Sequence, residues 1–142
     1  MNRGIHSTGR RAIYFHPNRC CRSRASGESC AANDNHIQKI DILFNNAGIH
    51  NHGRGDPHEE DINIYDHVLN VNLKGAFLCT KYVVTPMIEN NGDSIINNSS
   101  VLDSSAANSS STSYHVSKGG LAMLTKKSAL SYAKFNIRVN SI

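Results

Sequence analysis

The chain has 142 residues, and 39% of them are apolar, which is enough for one globular domain with a single core. Its formal net charge is +4, and the excess lies at the start of the chain. Residues 1–30 carry six arginines and one acid, Glu28, whereas residues 31–142 carry nine basic and ten acidic side chains. No run approaches 18 apolar residues, which excludes a membrane-spanning helix.

The first 36 residues do not have the pattern of a folded unit. Residues 17–36 contain no aliphatic side chain larger than alanine and show neither strand nor helix periodicity. We therefore predict that residues 1–36 form a disordered basic segment, in which only "RRAIYFH" (10–16) has the composition of a strand. With no apolar secretory signal, we expect reduced thiols and a cytoplasmic location. The Arg-rich composition also resembles an organellar transit peptide, which is the alternative location.

This segment also offers neither a metal site nor a nucleic-acid site. Cys20, Cys21 and Cys30 lack the paired C-x-x-C spacing of structural zinc sites. The arginines have no interleaved aromatic side chains on which bases could stack. We therefore expect no bound metal and no nucleic-acid partner.

From Ile37 the pattern alternates between strand and helix. The apolar run Ile42 to Phe44 is stopped by Asn-Asn-Ala-Gly, which predicts a buried strand that ends in a tight turn. A helical repeat follows from about Asp61 to Glu89, and the turn residues Asn90-Asn91-Gly92 close it.

The second half of this region repeats the alternation. Residues 94–100 predict a short strand, 101–113 a loop, 113–134 a helix, and 136–142 a further strand. The order strand, helix, strand, helix, strand is typical of a parallel sheet covered by helices. We therefore predict an α/β domain over residues 37–142.

Two side chains at the start of the last helix could carry chemistry. Tyr114 and Lys118 are four residues apart, so they share one face of the helix. A tyrosine hydroxyl, with an ordinary pKa of ~10, is a poor acid or base near neutrality, and a nearby ammonium favours the phenolate. This spacing can therefore convert a phenol into a proton donor and acceptor.

Ser100 follows the second predicted strand at the carboxyl edge of the sheet, where α/β proteins bind ligands. Its hydroxyl could hydrogen-bond a substrate oxygen beside the phenol. Ser99 is the second candidate for this role. His50 and His52 lie in the loop after the first strand, where we expect solvated or substrate-lining histidines rather than metal ligands.

Five motifs occur in order: "NNAG" (45–48), "VNLKG" (71–75), "IINNSS" (95–100), "YHVSK" (114–118) and "IRVNSI" (137–142). Together they resemble the short-chain dehydrogenase/reductase family, of its ordinary single-domain type. The resemblance covers about residues 37–142. It implies a partial Rossmann-like, doubly wound parallel sheet, with strands equivalent to the fourth, fifth and sixth of the family.

The resemblance also implies roles for single residues. Tyr114 would be the general acid/base, Lys118 would activate it and hold the ribose hydroxyls of NAD or NADP, and Ser100 would orient the substrate oxygen. Asn72 would be the helix-bending asparagine of the proton relay. Asn45, Ala47 and Gly48 would shape the adenosine side of the cofactor cleft.

The chain departs from the family pattern at its first strands. The glycine-rich phosphate turn, T-G-x-x-x-G-x-G, does not occur, so the first βαβ unit is missing. "RRAIYFH" resembles the third strand at a preserved distance from Asn45, with the helical pattern between them lost, as after a reading-frame error or a mis-joined exon. We expect this strand to have no neighbour and the strand ending at Asn45 to be an exposed edge. Asn98, where an apolar residue is usual, should place a polar side chain near the sheet interior.

The expected activity is NAD(P)-dependent interconversion of a carbonyl and an alcohol in a small molecule. The alternative is a catalytically inactive fragment that acts through protein association. The two long helices would be its contact surface, since the family commonly forms homo-oligomers there.

Overall fold

The computed structural model describes residues 12–14, 40–51 and 55–142. The predicted disorder of residues 1–36, apart from 12–14, falls outside the described residues. The predictions for Cys20, Cys21, Cys30 and His52 also fall outside them.

The described residues form one parallel sheet flanked by helices, as the alternating pattern predicts. Its strands are β1 (Ala12–Tyr14), β2 (Ile42–Asn45), β3 (Ser94–Asn97) and β4 (Arg138–Ser141), and they lie side by side in that order. Polar residues follow β2 and β3 directly. The sheet therefore brings both of these segments to one carboxyl edge.

The expectation that the segment around residues 12–14 has no neighbour is wrong. Ala12 to Tyr14 pair in parallel with Ile42 to Phe44, so β2 is an interior strand of the sheet. An unpaired edge leaves backbone N–H and C=O groups without partners, and this short segment satisfies those of β2. In the Rossmann strand order 3-2-1-4-5-6, the neighbour of the fourth strand is the first. The segment thus lies where a first strand would lie, although its sequence resembles a third.

The long helical repeat after β2 is not a single α-helix. It divides into α1 (Ile62–Leu69), a π-helical turn (Asn70–Lys74) and α2 (Gly75–Glu89). Asp61 caps α1, because its carboxylate accepts a hydrogen bond of 2.7 Å from the backbone N–H of Asn63. A π turn inserts an extra residue into a helix and often marks a functional site.

The ends of the helices follow the turn chemistry of the sequence. Gly92, at φ +96°, donates its N–H to the Met87 carbonyl and ends α2, as predicted. The last helix, α3, spans Thr112–Tyr132 and continues as a 3₁₀ turn over Ala133–Phe135. Asn136, at φ +59°, then turns the chain into β4.

The core lies between one face of the sheet and the helices. Leu43, Ile95 and Val139 from the strands are buried with Val83 and Met87 from α2. The alternate strand residues Ile42, Phe44 and Ile96 are only half-buried. None of the helices in the described part of the chain is long and apolar enough to cross a membrane.

Candidate active site

A buried amide network supports the carboxyl edge of the sheet. Asn45 donates from Nδ2 to Oδ1 of Asn97 at 2.8 Å, and Asn97 donates to Oγ1 of Thr125 on α3 at 2.8 Å. The sequence analysis does not predict a role for Asn97 or Thr125. The pair Asn97-Asn98 directly after two isoleucines could have indicated polar contacts at the end of this strand. Asn45 is itself buried, so it stabilises the carboxyl edge from within the protein. Ala47 is half-buried and Gly48 is exposed.

The π turn places Asn72 between the loop after β2 and helix α3. Its Oδ1 accepts the Ile49 N–H at 2.8 Å, and its Nδ2 donates to the Ile49 carbonyl at 2.9 Å and to Oγ of Ser117 at 3.0 Å. The Ser117 hydroxyl donates in turn to the Tyr114 carbonyl at 2.8 Å. Asn72, which is 1% exposed, therefore ties that loop to the first turns of α3.

The structure brings Tyr114 and Lys118 together as their spacing predicts. The Lys118 ammonium lies 5.6 Å from the centroid of the Tyr114 ring and donates to the Asn98 carbonyl at 2.7 Å. Gly48 lies opposite, since a Cβ built on it would be 3.7 Å from both Lys118 Nζ and Asn72 Oδ1. Because glycine has no side chain, the backbone of this loop lies close to the ammonium.

The pKa of Lys118 is lowered, first by desolvation, because the side chain is only 5% exposed, and this is partly offset by the charge of Asp103. Keeping this ammonium charged therefore costs folding free energy. Shifted pKa values of this kind are common at functional sites.

The pH dependence of stability should show this cost. Between the lowered pKa and the ordinary value of 10.5, the unfolded chain binds the lysine proton more tightly than the folded one. The free energy of unfolding of the wild type should therefore rise with pH in this window, relative to Lys118→Met. Urea denaturation of both proteins from neutral pH to 10.5 measures the difference. A wild type that loses stability relative to the variant would contradict the prediction.

The two serines after β3 differ in their surroundings. Ser99 is buried and donates to Oδ2 of Asp103 at 2.8 Å. Ser100 is half-buried, and its Oγ accepts the Leu102 N–H at 3.2 Å at the start of the 3₁₀ turn Val101–Asp103. No described residue accepts the Ser100 hydroxyl proton, so this group can donate to a ligand.

The expectation for Asn98 is wrong. Its side chain lies at the carboxyl edge, where Nδ2 donates to Oδ1 of Asn46 at 2.8 Å. Because side chains alternate along a strand, it is the preceding residue, Asn97, that lies in the interior.

Two histidines lie next to Tyr114: His50, which we expect to be solvated or substrate-lining, and His115, which follows it in the chain. The His50 ring meets the Tyr114 ring edge-on, with centroids 4.6 Å apart, and its Nε2 is hydrogen-bonded to Oγ of Ser110 at 3.2 Å. His115 accepts the Ala107 N–H at Nε2 at 3.0 Å, so its Nδ1 carries the proton donated to the Ser111 carbonyl. His115 thus fastens the loop before α3. The described residues include no cluster of three or more metal-ligand side chains.

The described residues fit the nicotinamide half of a dinucleotide. A buried ammonium lies beside a glycine at the carboxyl edge of the sheet, and an ammonium is a suitable donor to ribose hydroxyls. The diphosphate half needs a glycine-rich turn at a helix N-terminus, and the sequence does not contain that pattern.

The parallel sheet flanked by helices defines an α/β protein with a partial Rossmann-like fold. The family model of the short chain dehydrogenases matches residues 5–142. The chain therefore belongs to the short-chain dehydrogenase/reductase family.

Individual relatives agree with this assignment. The uncharacterized oxidoreductase YxbG of Bacillus subtilis is 48% identical over 103 residues, 72% of this chain and 37% of that protein. A 2-dehydro-3-deoxy-D-gluconate 5-dehydrogenase of Formosa agariphila is 39% identical over 75% of this chain and 39% of its own length. The crystal structure of a gluconate 5-dehydrogenase from Burkholderia cenocepacia with NADP and tartrate is 32% identical, with a TM-score of 0.69 over 74% of this chain and 40% of that one. The chain thus spans about two fifths of the length of the relatives it matches.

Proposed function

We propose that this chain carries the catalytic part of an NAD(P)-dependent oxidoreductase that interconverts a carbonyl and an alcohol in a small molecule. The observation that carries the proposal is the buried Lys118 ammonium beside the Tyr114 ring, with Gly48 close to the ammonium. Family membership supports the same reaction class.

Each site residue has a defined task in this proposal. A bound nicotinamide supplies or takes up the hydride. Tyr114 donates the phenol proton to the carbonyl oxygen during reduction, or takes the alcohol proton during oxidation, and Lys118 stabilises the phenolate that this leaves. Ser100 donates a hydrogen bond to the same substrate oxygen. Asn72 holds the loop after β2 against α3, with Asn45, Ala47 and Gly48 on the cofactor side.

The substrate class is a small alcohol or carbonyl compound. Relatives are named for 2-dehydro-3-deoxy-D-gluconate, gluconate and acetoin, which suggests hydroxylated substrates. We take NAD and NADP as equal candidates, and we propose a cytoplasmic location.

A second candidate is an inactive chain that acts through protein association. The observation that favours it is a set of exposed apolar side chains on α2 and α3. They are Phe77, Tyr82, Val116, Met123 and Leu130. These helices are also the surface we propose for a homo-oligomer of the active form.

Cofactor titration and turnover distinguish the two candidates. Because the glycine-rich turn is missing, we expect calorimetry to show binding of NADH and NADPH weaker than about micromolar. Oxidation of gluconate or acetoin should then require cofactor at roughly millimolar concentration. Turnover under these conditions supports the enzyme. A complete lack of turnover at millimolar cofactor supports the association protein, and micromolar affinity contradicts the expected weak binding.

A further inference from the structure

The segment from Gly55 to Glu60 is hydrogen-bonded to the first turn of α3. The Gly55 carbonyl accepts both the N–H and the hydroxyl of Thr112, at 3.1 and 2.7 Å. The Glu60 carboxylate accepts the Ser113 N–H at 2.8 Å through Oε2 and the Ser113 hydroxyl through Oε1. Ser113 is fully buried and directly precedes Tyr114.

These contacts satisfy groups that the helix itself leaves without partners. The first N–H groups of a helix have no acceptor within the helix. The N-cap Ser111 accepts the Tyr114 N–H at only 3.4 Å. The two shorter hydrogen bonds to the oxygens of Glu60 are therefore the stronger restraint on the turn that carries Tyr114.

We propose that Glu60 is a positioning residue for Tyr114. By holding both donors of Ser113, it fixes the angle and depth of the first turn of α3, and hence the place of the phenol beside Lys118 and His50. The role rests on the proposed function of Tyr114, and it acts through geometry rather than through the charge of Glu60.

Three variants separate geometry from charge. Glu60→Ala removes both contacts. Glu60→Gln keeps both, because the amide oxygen accepts the Ser113 N–H and the amide N–H₂ donates to the Ser113 Oγ. Glu59→Ala is the matched control, since Glu59 is an exposed neighbour whose carboxylate lies 3.7 Å from His58 and, among the described residues, is not hydrogen-bonded to α3.

Two readouts do not require turnover. In Glu60→Ala, the amides of Ser113 and Tyr114 should exchange with solvent roughly tenfold faster. The ring signals of Tyr114 in NMR should also move, because the ring lies edge-on to His50 at 4.6 Å. If Glu60 contributed only to global stability, Glu60→Ala would leave the Tyr114 ring signals of the folded protein unchanged. Glu60→Gln and Glu59→Ala should match the wild type in both readouts.

A third readout is turnover of acetoin or gluconate at millimolar cofactor. Glu60→Ala should lower kcat by about 10- to 100-fold with the KM for cofactor unchanged, since a displaced catalytic group loses rate rather than cofactor binding. Unchanged exchange, ring signals and kcat in Glu60→Ala would overturn the proposal. So would a Glu60→Gln protein as impaired as Glu60→Ala, because charge would then be the cause.

The test still decides if Glu60→Ala fails to fold or if the wild type shows no turnover. If Glu60→Ala does not fold, Ser113→Ala decides, because it keeps the N–H contact to Glu60 and loses only the contacts of the hydroxyl, to Glu60 and to Oγ of Ser111 at 3.1 Å. It should shift the Tyr114 ring signals in the same direction by a smaller amount, and unshifted signals reject the proposal. If the wild type shows no turnover, the proposed function fails, while exchange and ring signals still decide whether Glu60 holds Tyr114.

Discussion

Tyr114→Phe should lower kcat by about 10³-fold, because it removes the only atom through which this side chain can exchange a proton with substrate. The change deletes one hydroxyl and keeps the ring, so the edge-on contact with His50 and the packing against Lys118 persist. Turnover of acetoin or gluconate at millimolar cofactor measures the rate. The dissociation constant for NADH or NADPH should change by less than roughly threefold.

Tyr82→Phe is the control for this prediction. Tyr82 is 47% exposed on α2, and removing its hydroxyl should leave turnover unchanged. If Tyr114→Phe retains wild-type kcat, Tyr114 is not the general acid/base, and Glu60 loses the role that we propose for it.

Asn72→Ala should lower the free energy of unfolding by about 3 kcal/mol, because it leaves buried or part-buried hydrogen-bonding groups without partners. These are the N–H and carbonyl of Ile49. The Ser117 hydroxyl also loses the donor at Asn72, but it keeps its own hydrogen bond to the Tyr114 carbonyl. Turnover should fall as well, because the loop that carries Gly48 and His50 is no longer tied to α3. Urea denaturation measures the loss of stability.

Asn70→Ala is the matched control, since Asn70 lies in the same π turn with an exposed side chain. Its free energy of unfolding should change by less than ~0.5 kcal/mol. Equal losses in both variants would mean that Asn72 stabilises the helix itself and not the junction with the loop.

Much of the fold follows from local pattern. The strands β2, β3 and β4 and both long helical segments lie where the apolar periodicity predicts them, because each element buries one side and exposes the other. The π turn was not expected from periodicity, since Asn70 to Lys74 keep a helical repeat. The structure places Asn72 within it, bonded across to Ile49 and Ser117.

The pairing of β1 was mispredicted for a different reason. A three-residue strand is too short for its sequence pattern to indicate which strand it pairs with. The pairing depends on which edge of the sheet has unsatisfied backbone groups. Asn98 was mispredicted because a shift of one residue exchanges the two faces of a strand.

The sequence by itself determined the family, the α/β order of elements and the pair Tyr114 and Lys118, because helical spacing alone places two side chains four residues apart on one face. Only the tertiary structure decided which groups hold that pair. Asn98 supplies the carbonyl for Lys118, His50 meets the Tyr114 ring, and Glu60 holds the turn in front of it. These partners are distant in sequence from the groups they contact, and only the packing of the loops against α3 brings them together.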